Sequence, residues 1–529
     1  MSEEYDVIVI GGGHNGLVCA SYLAKAGERV IVFEKRENIG GGACTEEVTL
    51  PGFKHNLHSA GHSWIFGGPV YKDLELDKYG SRYVFVDPNS GIVFKDGSSL
   101  LCYKDIDRTC REIEKFSKRD AKVYKEVALR YYGLKDLVFA SWFSPPLPPS
   151  QAFAPLEGAP GGLDLIKSMM ASPKRVCDEL FESEEFKTYI LTMVYIASAP
   201  IDAHGMGGFL PIILSTFHSL PYGISIGGSR MLAEAMVKFI EAHGGTIKRN
   251  TTVKKIIINN GEARGVELED GSTIIAKKAI ASNTNVVDTL LTLVGEEHLE
   301  GETVQKVKNV LPDELVLIVP HLALNKPLIW KASEKNPDVQ RCYFITAGLE
   351  SVADIQEQIN DIRNKIPPRK PGGVSLSPTP FDPSQAPEGK HTALFWQFAP
   401  YEIKEGSWDE IKEDYTDKIL EVWKEYVPNL TRDNIIGKYI YSPVDIERNI
   451  SSMYKSSMHH GDICQEQMGY LRPIPGYSQY RMPIKNLYLC GSSAHPAGGI
   501  TGAPGYNCAG AIADDYRIKR WWPQLSIGK

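Results

Sequence analysis

Apolar residues enter this chain as a solid run. "DVIVIGGG" (6–13) is apolar on both faces until the glycines, which predicts a buried parallel strand running into a turn. "NGLVCASYLAKAG" (15–27) then predicts a helix with small residues for close packing, stopped by Gly27, and "RVIVFEK" (29–35) predicts a second strand ending at Glu34. The three make a βαβ unit. Helical spacing returns in "MLAEAMVKFIEAHGG" (231–245), with Met231, Leu232, Ala235, Met236, Phe239 and Ile240 on one face. Alternation follows over 251–282, broken at Asn260-Gly261 and Asp270-Gly271, and predicts a three-stranded meander. Near the other end, "NLYLCGSSAHPAGGITGAPGYNCAGAIADD" (486–515) repeats the order of strand, glycine-rich turn and small-residue helix. Two stretches interrupt these patterns. The proline-dense 141–163 reads as a linker or lid that cannot be a regular helix, and the breaker-rich 366–391 precedes the strand-like "TALFWQFAPY".

A chain of 529 residues exceeds what one hydrophobic core supports, so at least two domains are expected. The formal charge of -7, from 65 acidic and 58 basic residues, offers no basic field for a nucleic-acid backbone. Nine scattered cysteines include no CxxC pair, which argues against a zinc site and against a redox dithiol within one turn, and suits a reduced, cytoplasmic protein. The leader "MSEE" is acidic and short, and no apolar run approaches the roughly 20 residues that span a bilayer. A soluble protein is expected, at most attached to a membrane surface.

The glycines change the picture more. In Gly11-x-Gly13-x-x-Gly16 the first allows a tight turn, the second close approach of backbone to a pyrophosphate, and the third helix-strand packing. The helix N-terminus directs free N–H groups at the phosphates. Glu34 stands where an acid accepts both ribose hydroxyls of an adenosine, which selects against a 2′-phosphate. A second cluster, Gly40 to Gly42, and the turn after residue 490 bring further backbone against an extended cofactor. Together the three segments favour FAD over NAD.

The segments "GGGHNGLVCASYLAKAG", "IGGGACTEE", "LRPIPGYSQYR" and "NLYLCGSSAHPAGGITGAPGYNCAGA" resemble the FAD-dependent carotenoid desaturases and ketolases, with the amine-oxidase-like flavoproteins around them. They look most like the branch with bacterial carotene ketolases and the animal pyridine-nucleotide-disulphide-oxidoreductase-domain protein. "FDPSQAPEGKHTALFWQFAPY" (381–401) extends the resemblance over nearly the whole chain. It implies an α/β fold: a Rossmann-like FAD-binding domain of the glutathione-reductase or amine-oxidase type (1–70, 222–310 and 460–529), interleaved with an α+β substrate domain (71–221 and 311–459). It further implies that Glu34, with Lys35 beside it, serves the adenosine ribose, that His14 and Asn15 sit in the pyrophosphate turn, and that Gly41, Gly42, Ala43, Thr45 and Ser59 belong to the second cofactor segment. Val253 would meet the adenine, Gly491 and Ser492 the ribityl chain, and Gly499, Ile500, Thr501 and Gly502 the isoalloxazine. Many relatives carry Arg in place of Gly42 and Asp in place of Ser492.

The activity so implied is desaturation or oxidation of a hydrophobic, isoprenoid or carotenoid-like substrate by hydride transfer to flavin N5, with electrons leaving for a diffusible acceptor such as oxygen or a quinone. The apolar 185–220 could wall its cavity or be ordinary core. An FAD-dependent isomerase or hydratase, an amine oxidase and a flavin-bound protein without turnover are the alternatives. His495 is the first candidate base, against a structural histidine that orients its turn, and Tyr477 and Tyr506 flank the same region. His55, His58 and His62 have helical metal-site spacing but read better as a polar wall near the flavin than as ligands, so no metal is expected. His459-His460 reads as a polar turn. Trp521 and Trp522, among Arg517, Lys519 and Arg520, suit either a membrane surface or packing against the body or another subunit. Oligomeric state is open.

Overall fold

A computed structural model describes residues 3–159, 161–523 and 525. The predicted βαβ unit forms as β1 (Glu3–Ile10), α1 (His14–Lys25) and β2 (Val30–Phe33). Val7 to Ile10 and all of β2 are buried, as strands covered on both faces must be. β1 and β2 pair in parallel, Val7 opposite Val30 and Ile10 opposite Phe33. On the far side of β2 lies Thr246–Lys248, and on the far side of β1 the long strand Thr273–Ser282, both parallel. The meander forms as expected, with Val253–Asn259 and Glu262–Leu268 antiparallel and the turns at Asn260-Gly261 and Asp270-Gly271 taking positive φ. Leu487–Leu489 pairs in parallel with residues 280–282, so a strand near the chain's end joins the sheet that the first strand begins.

A second seven-stranded sheet runs in the order Ile435–Tyr441, Val316–Leu324, His391–Ala399, Gly373–Leu376, Phe344–Ala347, Ser90–Val93, Ser99–Cys102. All its pairings are antiparallel except that of Phe344–Ala347 with Ser90–Val93. The chain crosses between the sheets more than once, which is the interleaving that the resemblance implies. Helices Glu184–Ile196 and Phe209–Ser219 pack beside the second sheet.

One breaker-based expectation needs correction. The proline-dense 141–163 contains the helix Pro149–Glu157 and the start of Gly162–Met170. Pro149 occupies the first helical position, where a missing N–H costs nothing, and Pro155 is tolerated in a helix that buries none of its residues. The breaker-rich 366–391 carries the buried strand Gly373–Leu376. The tryptophan pair packs against the body: Trp521 stacks on Tyr22 of α1 at 5.1 Å and donates to its carbonyl at 3.0 Å, and Trp522 is buried. Residues 524 and 526–529 of that tail lie outside the described residues. Among the described residues no helix is long and apolar enough to cross a membrane.

Candidate functional site

β1 delivers the glycine turn to one end of a cavity of about 850 Å³. Gly11 takes φ +92°, open to glycine at little cost, and a Cβ on Gly16 would lie 2.5 Å from the Gly11 carbonyl oxygen. The turn can therefore be built only from these glycines. α1 starts at His14 with no side-chain cap on Gly13, so its first-turn amides have no intrahelical partner. Glu34, at the end of β2, accepts from the Gly12 N–H at 2.8 Å and the Arg36 N–H at 2.9 Å, which fixes its carboxylate at the cavity wall. Burial pushes that carboxyl up, against the lowering effect of the Arg36 and Gly12 amides.

The first and last glycine segments meet in space. His14 Nε2 donates to the Gly499 carbonyl at 3.1 Å, and the Asn15 amide donates to Ser492 Oγ at 3.4 Å. Burial lowers the His14 pKa to about 4, so the ring is neutral, with its proton on Nε2. Of the residues assigned to the cofactor, Gly11, Gly13, His14, Asn15, Glu34, Lys35, Gly41, Gly42, Ser59, Val253, Ser492, Gly499, Ile500 and Thr501 line this cavity. Gly16, Ala43, Thr45, Gly491 and Gly502 do not line it, and shape the wall from behind. Thr45 Oγ1 donates to Asn56 Oδ1 at 2.8 Å and accepts from the Arg230 N–H at 3.1 Å, tying the second glycine segment to the helix Arg230–Ala242.

The three candidate catalytic residues are not brought to the cavity. His495 is buried, its Nε2 hydrogen-bonded to the Ser141 carbonyl at 2.9 Å, and only its neighbours Pro496 to Gly499 reach the cavity. Tyr506 packs edge-on against Tyr22 and Phe143 and donates to the Pro523 carbonyl. Tyr477 packs at the margin of the first sheet's core. The helical spacing of His55, His58 and His62 is not realised, since His55 lies in the short strand His55–Asn56. His58 meets Tyr441 OH at 3.2 Å, and His62 meets Tyr83 OH at 2.7 Å. Both line the cavity, and burial lowers each to about 3.

Sequence reasoning missed Asn283, whose side chain fills the space beside Gly13 and Gly16, and Arg472, whose buried guanidinium donates to the carbonyls of Ser492, Gly461, Asp462 and Gln467. Arg472 lies in "LRPIPGYSQYR" (471–481), but nothing local marks an arginine as buried. Asn283 follows a predicted strand at the place where α/β sheets bind ligands, a signal that could have found it.

Away from the first turn the cavity continues without a break between Thr192, Met193, Ile196, Phe217, Phe344 and Phe398. A Rossmann turn at one end and an apolar chamber at the other suit a dinucleotide-dependent oxidoreductase. A family described as "NAD(P)-binding Rossmann-like domain" matches residues 9–75. Over 540 residues the chain is 31% identical to one of the subunits of limonene dehydrogenase from Castellaniella defragrans, covering 99% of this chain and 97% of that protein. It is 31% identical to pyridine nucleotide-disulfide oxidoreductase domain-containing protein 2 of Rattus norvegicus (98% and 94%) and 26% identical to the chloroplastic prolycopene isomerase of Daucus carota (99% and 82%). An oxidoreductase structure from Methanosarcina mazei superposes with TM-score 0.60 at 18% identity, covering 96% of this chain and 99% of that one. The chain belongs to the FAD-dependent carotenoid desaturase-like family of oxidoreductases.

Proposed function

We propose that the protein desaturates or oxidises an isoprenoid hydrocarbon, with FAD at the Glu34 end of the cavity and substrate in the apolar chamber. The observation that carries this reading is the continuity of the cavity from Glu34 and Val253 to Met193, Phe217 and Phe398. The residues present fit the cofactor: the uncapped start of α1 offers N–H donors to a pyrophosphate, and Glu34 offers a fixed acceptor to a ribose. When bound, FAD supplies a two-electron acceptor for a C–H bond. The chain's part is to hold an unactivated carbon in line and to exclude water with apolar walls. Ser492, Gly499, Ile500 and Thr501 would face the flavin, and the strands of the first sheet, all within 1–70, 222–310 and 460–529, support assigning those segments to the cofactor and the remainder to the substrate. Electrons pass to a diffusible acceptor, oxygen or a quinone. The name of the Castellaniella relative, a limonene dehydrogenase, supports an isoprenoid substrate.

Mass spectrometry of small molecules released from purified protein tests this reading. FAD accompanied by an apolar isoprenoid is the expected result; FMN, NAD or a polar amine in that place contradicts it.

A further inference from the structure

Two loops close the cavity beside Gly499. One is Pro496–Gly499 and the other is Met458–His460. A Cβ on Gly498 would lie 2.8 Å from His459 Cδ2, so the imidazole rests directly against the loop backbone. The ring is held from behind by Asp313, whose Oδ2 lies 3.0 Å from Nδ1 and 3.0 Å from the backbone nitrogen of His459. A carboxylate only accepts, so in the neutral ring Nδ1 carries the proton and Nε2 presents its lone pair. His459 lines the cavity, and its Nε2 has no protein partner among the described residues. Asp313 is fully buried; burial opposes its charge, but His459 and the Arg472 charge outweigh this and hold the carboxyl below the ordinary range.

We propose that His459, oriented by Asp313, is the catalytic base of this cavity and takes a substrate proton on Nε2. The inference rests on the preceding reading of the reaction. With FAD bound to accept a hydride from one substrate carbon, Nε2 would take a proton from the adjacent carbon, and the electron pair of that second C–H bond would become the new C=C bond. The imidazolium, balanced by Asp313, later releases its proton to water, and the two electrons pass to the oxygen or quinone. Of the other cavity histidines near this end, His14 spends Nε2 on the Gly499 carbonyl, while His62 and His460 have no carboxylate partner and each keeps one buried ring nitrogen without a partner.

The charged and titratable groups around His459 are Asp313, Asp462, Arg472 and His460. Asp462 is pushed up to about 7, by burial and then by the Asp313 charge, so Asp462→Asn is the control for any pH profile. The test uses 15N-histidine NMR on FAD-loaded protein, with the His459 signal assigned by its loss in His459→Gln. An Nδ1–H tautomer that gains a proton at Nε2 on acidification, and loses tautomer preference in Asp313→Asn, is expected. With limonene as probe, anaerobic flavin bleaching should slow by roughly two to four powers of ten in His459→Gln at unchanged FAD content. An Nε2–H tautomer, a ring that does not titrate, or bleaching at the wild-type rate overturns the proposal. Wild-type protein that limonene does not bleach counts against the substrate reading, while the NMR arm still decides on His459.

Discussion

At Glu34 the chain spends two backbone amides on one carboxylate, an arrangement that holds the acid at the cavity wall before any ligand arrives. Glu34→Ala should therefore keep the fold but weaken FAD retention by about 1.5–3 kcal/mol, read as a rise in Kd of roughly 10- to 150-fold in equilibrium dialysis. Unchanged affinity would mean that the acid serves only the turn. His495 behaves in the opposite sense. Its one bonded nitrogen meets the Ser141 carbonyl in the helix Lys135–Trp142, so His495→Ala should lower thermal stability, by about 1–3 kcal/mol, without a matching loss of turnover per bound FAD. A selective loss of turnover would restore it as a base. The sequence located His495 in a flavin-proximal motif, but the direction of its ring is set by a helix more than 350 residues away in the chain. For the same reason His459 read as a mere turn residue: its partner Asp313 lies 146 positions away.

Local patterns were most legible where one element settles its own geometry. The βαβ unit, the helix Arg230–Ala242 and the meander each carry their period and their stop signals within the segment, and each forms where expected. The proline-dense 141–163 misled because Pro149 sits at a helix start, where proline costs nothing, and Pro155 lies inside a short helix that buries none of its residues. Packing between elements was less legible, although the glycines forecast it. A side chain on Gly16 meets the Gly11 carbonyl oxygen at 2.5 Å and Asn283 Cβ at 2.9 Å, both part of the wall of the turn. Gly16→Val should thus yield protein that fails to retain FAD and melts at lower temperature. Normal melting with full FAD content would show that α1 can shift away from β1.

Across the whole molecule, the buried histidines make stability depend on pH. Burial lowers His14 and His495 to about 4, and His55, His58, His62 and His460 to about 3, against 6.5 in the unfolded chain. Between pH 6.5 and those values the unfolded chain binds more protons, so stability falls as pH drops and is insensitive to these groups above it. Each ring should cost on the order of 1–2 kcal/mol by about pH 5, visible as a melting temperature that declines steeply on acidification. A flat profile from pH 7 to about 5 would show that the rings reach water in the folded state. The interleaving of two sheets was foreseen from the family resemblance, whereas the cavity joining them arises from side chains contributed by both sheets.

That cavity is tested most directly by anaerobic absorption spectroscopy of the purified, FAD-loaded protein. Limonene or an acyclic carotene should bleach the flavin band in a saturable way, while NADH and NADPH should leave it nearly unchanged, because the dinucleotide turn is occupied by the FAD itself. Rapid, saturable bleaching by a nicotinamide nucleotide, with none by any isoprenoid hydrocarbon, would contradict the assignment of the apolar chamber to the substrate.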